Sequence, residues 1–352
     1  MSGRWRRDDY KPAPLLPAPR VIMHAKTDNS GEKQMKFDRA VGVLALLAVA
    51  GVQAAEQSYP SRPIRLLVPQ APGGSNDIMA RNVANHLTQT FGKQVVVDNR
   101  PGAEGIIGTE IVARSAPDGY TLLLASAAFT MNPAVRKLPY DSLAAFDWVA
   151  KLGSGPTVLT VGPLLPVNTV KEILAIGKDK PGVITMATAG GFQHFGTALF
   201  KSLSGQDFTI LLYKGGFPAM IDVMGGQSHM TVGSIVQSIP HIRSGKLKPI
   251  ATGGATRAAT LPDLPTIAEA GVPGYDASNW WAVAAPAHTP AANIAKLNAA
   301  ITAYLNMPET KKRFTSEGAE VDIKTPAELK KMIPLDMAKW AKVAKEAGMR
   351  GE

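Results

Sequence analysis

The chain has 352 residues, with 38 Lys and Arg against 28 Asp and Glu, 45% hydrophobic residues and no cysteine. Single cores stop growing near roughly 250 to 300 residues, so two α/β lobes are expected, and the apolar content excludes a disordered chain. The missing cysteine excludes disulfides, thiolate nucleophiles, iron–sulfur and cysteine zinc sites, and the acylated cysteine of a lipoprotein anchor. Residues 1–54 carry nine Lys and Arg against five Asp and Glu, which leaves 29 against 23 for the rest. That excess is too dilute to track a nucleic acid.

Residues 1–34 place Pro12, Pro14, Pro17 and Pro19 among scattered charges and read as an extension that neither folds nor inserts, with Met35 as the genuine start. Lys36 and Arg39 precede an apolar run of twelve, residues 40–51, shorter than the roughly 18 residues of a membrane-spanning helix. Val52-Gln53-Ala54 offers small residues where a signal peptidase reads, so residues 35–54 are expected to be an export signal cut after Ala54 or Ala55. The mature protein is then periplasmic. Arg6-Arg7 lies too far upstream of the apolar run to act as a twin-arginine signal.

From Ile64 onward, short β-branched runs alternate with helical patterns, the mark of βαβ units and a parallel sheet. Strands are expected at residues 64–69, 94–98 and 120–125, with helices at 77–91 and 104–115. A second set follows: strand 157–161, helix 170–178, strand 183–187, helix 194–203, strand 208–212, helix 218–224, strand 229–232, helix 235–243 and strand 248–252. Strand 279–285 and helices from Pro290, Glu309 and Pro326 close the chain. Such a helix-rich remainder has to cover sheet already built. The expected fold is therefore α/β, two-lobed and periplasmic-binding-protein-like (type II). Lobe 1 takes residues 55–150 and 279–352, lobe 2 takes residues 151–278, and the ligand cleft lies between them. Ligands of open α/β sheets sit beyond the carboxyl ends of strands, which directs attention to those loops.

Pro72-Gly73-Gly74-Ser75-Asn76-Asp77 joins the first strand to the first helix, where flexible glycines and a helix N-terminus suit an anion such as a carboxylate. Ser75 or Asp77 acting only as a helix cap is the alternative. No Gly-Lys-Ser/Thr closes this loop as a phosphate loop would require. Residues 99–108 after the second strand hold glycines in an order that does not fit a dinucleotide, and supply a second wall of the cleft or simply a turn. Ser126-Ala127-Ala128 ends the third strand, and Gly190-Gly191-Phe192-Gln193-His194 opens a helix of lobe 2, so the two segments are expected to face each other. Lys214, in Tyr213-Lys214-Gly215-Gly216, is either an anion partner or a solvated charge. There is no Gly-x-Ser-x-Gly elbow and no His-Glu-x-x-His, and the six histidines are scattered. No catalytic machinery, metal site or cofactor is indicated.

Over these residues the chain resembles the substrate-binding proteins of tripartite tricarboxylate transporters, the TctC/Bug receptor family. The resemblance runs from Tyr59 to the C-terminus. Its motifs include Tyr59-Pro60-Ser61-Arg62-Pro63, Pro72-Gly73-Gly74-Ser75 with Asp77, Val95-Val96-Val97-Asp98-Asn99-Arg100-Pro101-Gly102-Ala103, Ala116-Pro117-Asp118-Gly119-Tyr120, Leu138-Pro139-Tyr140-Asp141, Leu261-Pro262-Asp263-Leu264-Pro265-Thr266 and Trp340. The resemblance implies a monomeric periplasmic receptor that closes on a small organic acid and delivers it to a membrane permease. It also implies that residues 72–77, 126–128 and 190–194 hold a ligand carboxylate. Two departures bear on the ligand: the loop before His194 is about two residues shorter than the family's usual Ala-Gly-x-Gly-x-x-x-His, and Gly233-Ser234 stands where many members place an aspartate.

The expected ligand-binding set is Gly73, Gly74, Ser75, Asp77, Ser126, Ala127, Phe129, Gly190, Gly191, Phe192, His194, Lys214 and Ser234. Gly233-Ser234 offers no partner for an ammonium, and an unpaired buried charge is costly, so a non-amino carboxylate, aromatic or dicarboxylic, is expected. Phe129, Phe192, Trp280 and Trp281 are candidate apolar faces for it. The alternatives are a ligand sensor for a membrane signalling partner and an exported carboxylic ester hydrolase.

Overall fold

The computed structural model describes residues 59–346, 348 and 349. The extension read over residues 1–34 and the export signal read over residues 35–54 lie outside the described residues.

The first lobe is organised on β1 (Ile64–Val68), flanked in parallel by β2 (Val95–Asn99) and β3 (Thr121–Ser126), with Leu66 opposite Val97 on one side and Leu122 on the other. The crossovers are α1 (Ser75–Phe91) and α2 (Ile106–Ala113). Helices on both faces explain why β1 and β3 read as continuous apolar runs instead of alternating ones. The second lobe repeats this plan: β5 (Thr185–Ala189) lies between β6 (Thr209–Tyr213) and β7 (Met230–Ser234), again in parallel. Its helices are α4 (Val170–Asp179), α5 (Phe192–Ser204), α6 (Gly216–Met224) and α7 (Ile235–Arg243), after a short α3 (Ala128–Met131) in the first lobe.

One strand serves both lobes. The sequence reading placed a strand at residues 157–161, but β4 runs over sixteen residues, Phe146–Val161. Its first part pairs antiparallel with β9 (Ser278–Pro286), ending at Pro156 opposite Ser278. From Thr157 it pairs with β7 and with β8 (Lys248–Thr252). Lys151, Gly153, Gly155 and Pro156 obscure this strand in the sequence because each argues locally for a break. Lys151 is 5% exposed, and its ammonium is ion-paired with Asp322. At the crossover the Thr157 amide donates to the Ala277 carbonyl (3.1 Å), Gly253 donates to Thr157 (2.7 Å) and Ala277 to Gly253 (2.7 Å).

After β9, which also pairs antiparallel with β3, the chain forms α8 (Ala291–Asn306), α9 (Pro308–Ser316), a two-residue β10 (Glu320–Val321) on β4, and α10 (Pro326–Glu346). These elements cover the first lobe. The full strand order is β2-β1-β3-β9-β4-β7-β5-β6, with β8 and β10 also on β4. Trp281, Trp340, Tyr275 and Phe195 are the largest fully buried side chains, and Phe195 of α5 meets Trp340 of α10 edge to face at 5.8 Å.

Candidate functional site

The loops beyond the carboxyl ends of β1, β2 and β3 and those beyond β5, β6 and β7 enclose a cavity of about 580 Å³, within the size range of small-molecule sites. Several helices begin at its rim, α2 among them with its N-cap Gly105. The N-cap residues of α1, α5, α6 and α7 are Gly74, Gly191, Gly215 and Ser234, and none makes a side-chain capping bond. Away from the cavity, α4 carries a full capping box, Thr169 with Glu172, while the helices that start after Pro290 and Met307 have no side-chain cap either. What distinguishes the cavity is that several helix starts converge on it, and their N–H groups and dipoles together create a field that favours an anion.

On the first-lobe side, Asn76 is the hub. Its Nδ2 donates to Gln70 Oε1 (2.5 Å) and to Ser126 Oγ (3.1 Å), while its Oδ1 accepts from the Trp281 indole N–H (2.8 Å). Because Ser126 Oγ accepts from Asn76, its hydroxyl proton is free to donate into the cavity. Asn279 Oδ1 accepts from the Ala127 amide at 3.1 Å, which turns its Nδ2 toward Asn76 and the cavity. Ser75, Asn76, Ser126 and Asn279 are all buried. On the second-lobe side, Ser234 Oγ, Gln237 Nε2 and Gln193 Oε1 have no hydrogen-bond partner among the described residues.

Of the expected ligand-binding set, Gly74, Ser75, Ser126, Gly190, Phe192, Lys214 and Ser234 line this cavity. The others do not. The Gly73 amide donates to Asp77 Oδ2 (3.0 Å), and the same oxygen accepts from Arg81 Nε (2.9 Å), so Asp77 serves its own loop. Burial pushes the Asp77 carboxyl up, but hydrogen bonds from Arg81, Gly73 and Asn99 and the Arg81 charge outweigh it and hold it below the usual carboxylate range. Phe129 packs in the core, edge to face with Phe146 and Trp148 at 5.3 Å each. Ala127 donates its amide to Asn279, and Gly191 lies against Ala128. Trp280 donates to Asp336 (2.9 Å) and Trp281 to Asn76, so both rings belong to the core and not to the cavity wall. Phe192, Leu212 and Phe217 supply the apolar wall instead.

His194 is removed from the cavity and sits beside Glu104 and Arg136. Burial pulls its imidazole below the ordinary histidine range, with Glu104 opposing the shift and Arg136 adding to it. Glu104 does line the cavity, and its Oε1 accepts from Arg136 at 3.2 Å. An acid therefore reaches the cavity from the loop after β2, within residues 99–108, and not from the Gly233-Ser234 position. Ala103 and Glu104 both hold left-handed backbone, φ 45° and 59°, a strained conformation that in non-glycine residues concentrates at functional sites. The expected ligand-binding set left out Gln70, Asn76, Gln193, Gln237 and Asn279. Asn76 stands inside a motif already singled out. So does Gln193, within Gly190-Gly191-Phe192-Gln193-His194, whereas Gln237 lies three residues from Ser234 with no pattern of its own.

Two α/β lobes joined by paired crossing strands, with a cavity between their strand-end loops, define the solute-binding receptors. The chain belongs to the tripartite tricarboxylate transporter receptor family (TctC), whose profile matches residues 79–349. It is 36% identical over 324 residues to the protein BugT of Bordetella pertussis, covering 90% of this chain and 99% of that protein. Among solved structures it is similar to R. palustris Rpa4515 with adipate, at 32% identity and a TM-score of 0.80, covering 84% of this chain and all of that one. The periplasmic binding protein BugD is similar at 34% identity and a TM-score of 0.80, covering 84% of this chain and 100% of that one.

Proposed function

We propose that this protein is a periplasmic receptor that takes a small organic carboxylate into the interlobe cavity and delivers it to a membrane permease of the tripartite tricarboxylate type. The observation that carries this reading is the meeting of several helix starts at one cavity. Backbone N–H groups and helix fields of this kind stabilise a carboxylate without a formal countercharge. In the proposed pose the carboxylate accepts from the N–H groups at the start of α1 and from the Ser75 and Ser126 hydroxyls, with Asn279 Nδ2 beside them. The relative that is solved with adipate supports the ligand class.

The lobes divide where β4 changes partners, between Pro156 and Thr157, and again where β9 begins at Ser278. Closure rotates one lobe on the other about this crossover and releases no product. Residues 35–54 direct export and are removed, which intact mass of periplasmic material would verify. Calorimetry with hexanoate, benzoate, succinate and adipate, each against its neutral amide or ester, tests the central claim. Carboxylates should bind, and Ser75→Ala with Ser126→Ala should weaken them. Equal affinity for acids and esters would refute it, and hydrolysis of an ester by the purified protein would replace the receptor by an enzyme. Capture of the permease subunits by the liganded protein would establish the partner.

A further inference from the structure

On the second-lobe side of the cavity, three uncharged side chains present polar atoms that the protein itself does not satisfy. Ser234 Oγ, Gln237 Nε2 and Gln193 Oε1 have no hydrogen-bond partner among the described residues, and all three residues line the cavity. Ser234 is the N-cap residue of α7, a position where serine ordinarily accepts from the helix's own N–H groups. Here it makes no such bond. It is 3% exposed, and Gln237, in the first turn of the same helix, is 6% exposed. Buried polar groups without partners are rare because each is unfavourable. Three on one wall mark a surface completed by what the cavity holds.

The chemistry of that wall is neutral. Hydroxyl and primary amide groups both donate and accept, so their best complement also does both. A second carboxylate only accepts, and would leave the Gln193 Oε1 acceptor unmet. An ammonium only donates, and the Glu104 side chain that would neutralise it is held by Arg136 at 3.2 Å. Lys214, the cation on the cavity lining, is exposed, and solvent screens its charge. Resting on the reading that the first lobe holds a carboxylate, we infer that the ligand's other polar group is neutral, a hydroxyl or a primary amide, recognised by Ser234, Gln237 and Gln193.

A six-carbon series separates the possibilities: hexanoate, 6-hydroxyhexanoate, adipamate (the monoamide), adipate and 6-aminohexanoate, measured by calorimetry at neutral pH. The hydroxy acid and the monoamide should bind about tenfold or more tighter than adipate and 6-aminohexanoate. Ser234→Ala and Gln237→Leu should each reduce monoamide affinity about five- to tenfold while leaving hexanoate within about twofold. Adipate or 6-aminohexanoate binding as tightly as the monoamide in the unaltered protein overturns the inference. So does an equal loss for hexanoate and monoamide in both variants, which would place these side chains on the shared carboxylate. If no member binds, hexanoate included, the carboxylate reading falls and this inference with it.

Discussion

Gly190, immediately after β5, lies directly against the Glu104 side chain of the other lobe, so a methyl group there tests whether the lobes must meet at that point. A Cβ at residue 190 would overlap Glu104 Cγ and stand 2.7 Å from its Cδ. Ordinary contact lies near ~3.5 to 4.0 Å, so the two chains must separate by about 1 Å. Forcing an extra methyl into a packed contact costs about 1 to 3 kcal/mol. Because this contact joins two lobes, opening the cleft relieves it and each lobe keeps its own core. The penalty should therefore appear in binding, as a Kd raised about 5- to 100-fold for Gly190→Ala, with little change in melting temperature without ligand. Calorimetry on Gly190→Ala, Glu104→Gly and the double variant forms a cycle in which the double should recover most of the Gly190→Ala loss. An unchanged Kd for Gly190→Ala, or a double variant no better than the sum of the singles, would refute contact between these lobes as a condition of binding.

Other outcomes follow from the same geometry. Asn76→Ala removes the partner of the Trp281 indole and of Gln70, and should lower unfolding free energy by about 2 to 4 kcal/mol in denaturant; a loss below about 1 kcal/mol would show that the hub is not structural. His194 is held below the ordinary histidine range by burial, so on acidification the unfolded chain takes up its proton first. Its contribution to stability is present above about pH 6.5 and falls as the pH drops from there toward the folded value, a slope that His194→Gln should flatten in melting curves. At the crossover, a Cβ on Gly253 would strike Thr157 Oγ1 and come within 2.9 Å of Tyr275 Cε1. Gly253→Ala should cost about 1 to 3 kcal/mol of stability by calorimetric melting, and an unchanged melt would mean that the crossover yields.

Periodicity located the elements well where each element sees one environment. Helix 235–243 and strand 248–252 match α7 and β8 residue for residue. Three helices at the cavity begin two residues earlier than the pattern indicates, at Ser75, Phe192 and Gly216. The reason is chemical: glycine N-caps without side-chain capping leave no start signal, whereas Thr169 and Glu172 announce α4. Glycine-rich loops thus pointed to the right rim but not to its contents. Phe129, Trp280 and Trp281 read as possible ligand walls because aromatic size alone does not tell a core face from a cavity face. Asn76 and Gln193 sat inside quoted motifs and Gln237 outside any, yet none stood out, since amide side chains acquire their role only from the partners that folding brings near. The first half of β4 was hidden for a different reason: its breaks are real local signals, overridden by pairing with β9 on one side and β10 on the other.

That shared strand also sets an order of assembly. Everything between Thr157 and Ala277 is one uninterrupted stretch of chain, so the lobe built on β5 has all its parts once that stretch is available. The lobe built on β1 does not. Its β3 waits for β9, with Ser126 opposite Trp281 and Leu123 opposite Ala284, and until then it presents a bare hydrogen-bonding edge of apolar residues. Such an edge is open to wrong partners, and pairings this distant in sequence form slowly. The N-terminal third of the polypeptide is thereby kept incomplete until its C-terminal third arrives. A protein arranged in this way stays pliable through most of its synthesis, and sets only when its last helices close over β4.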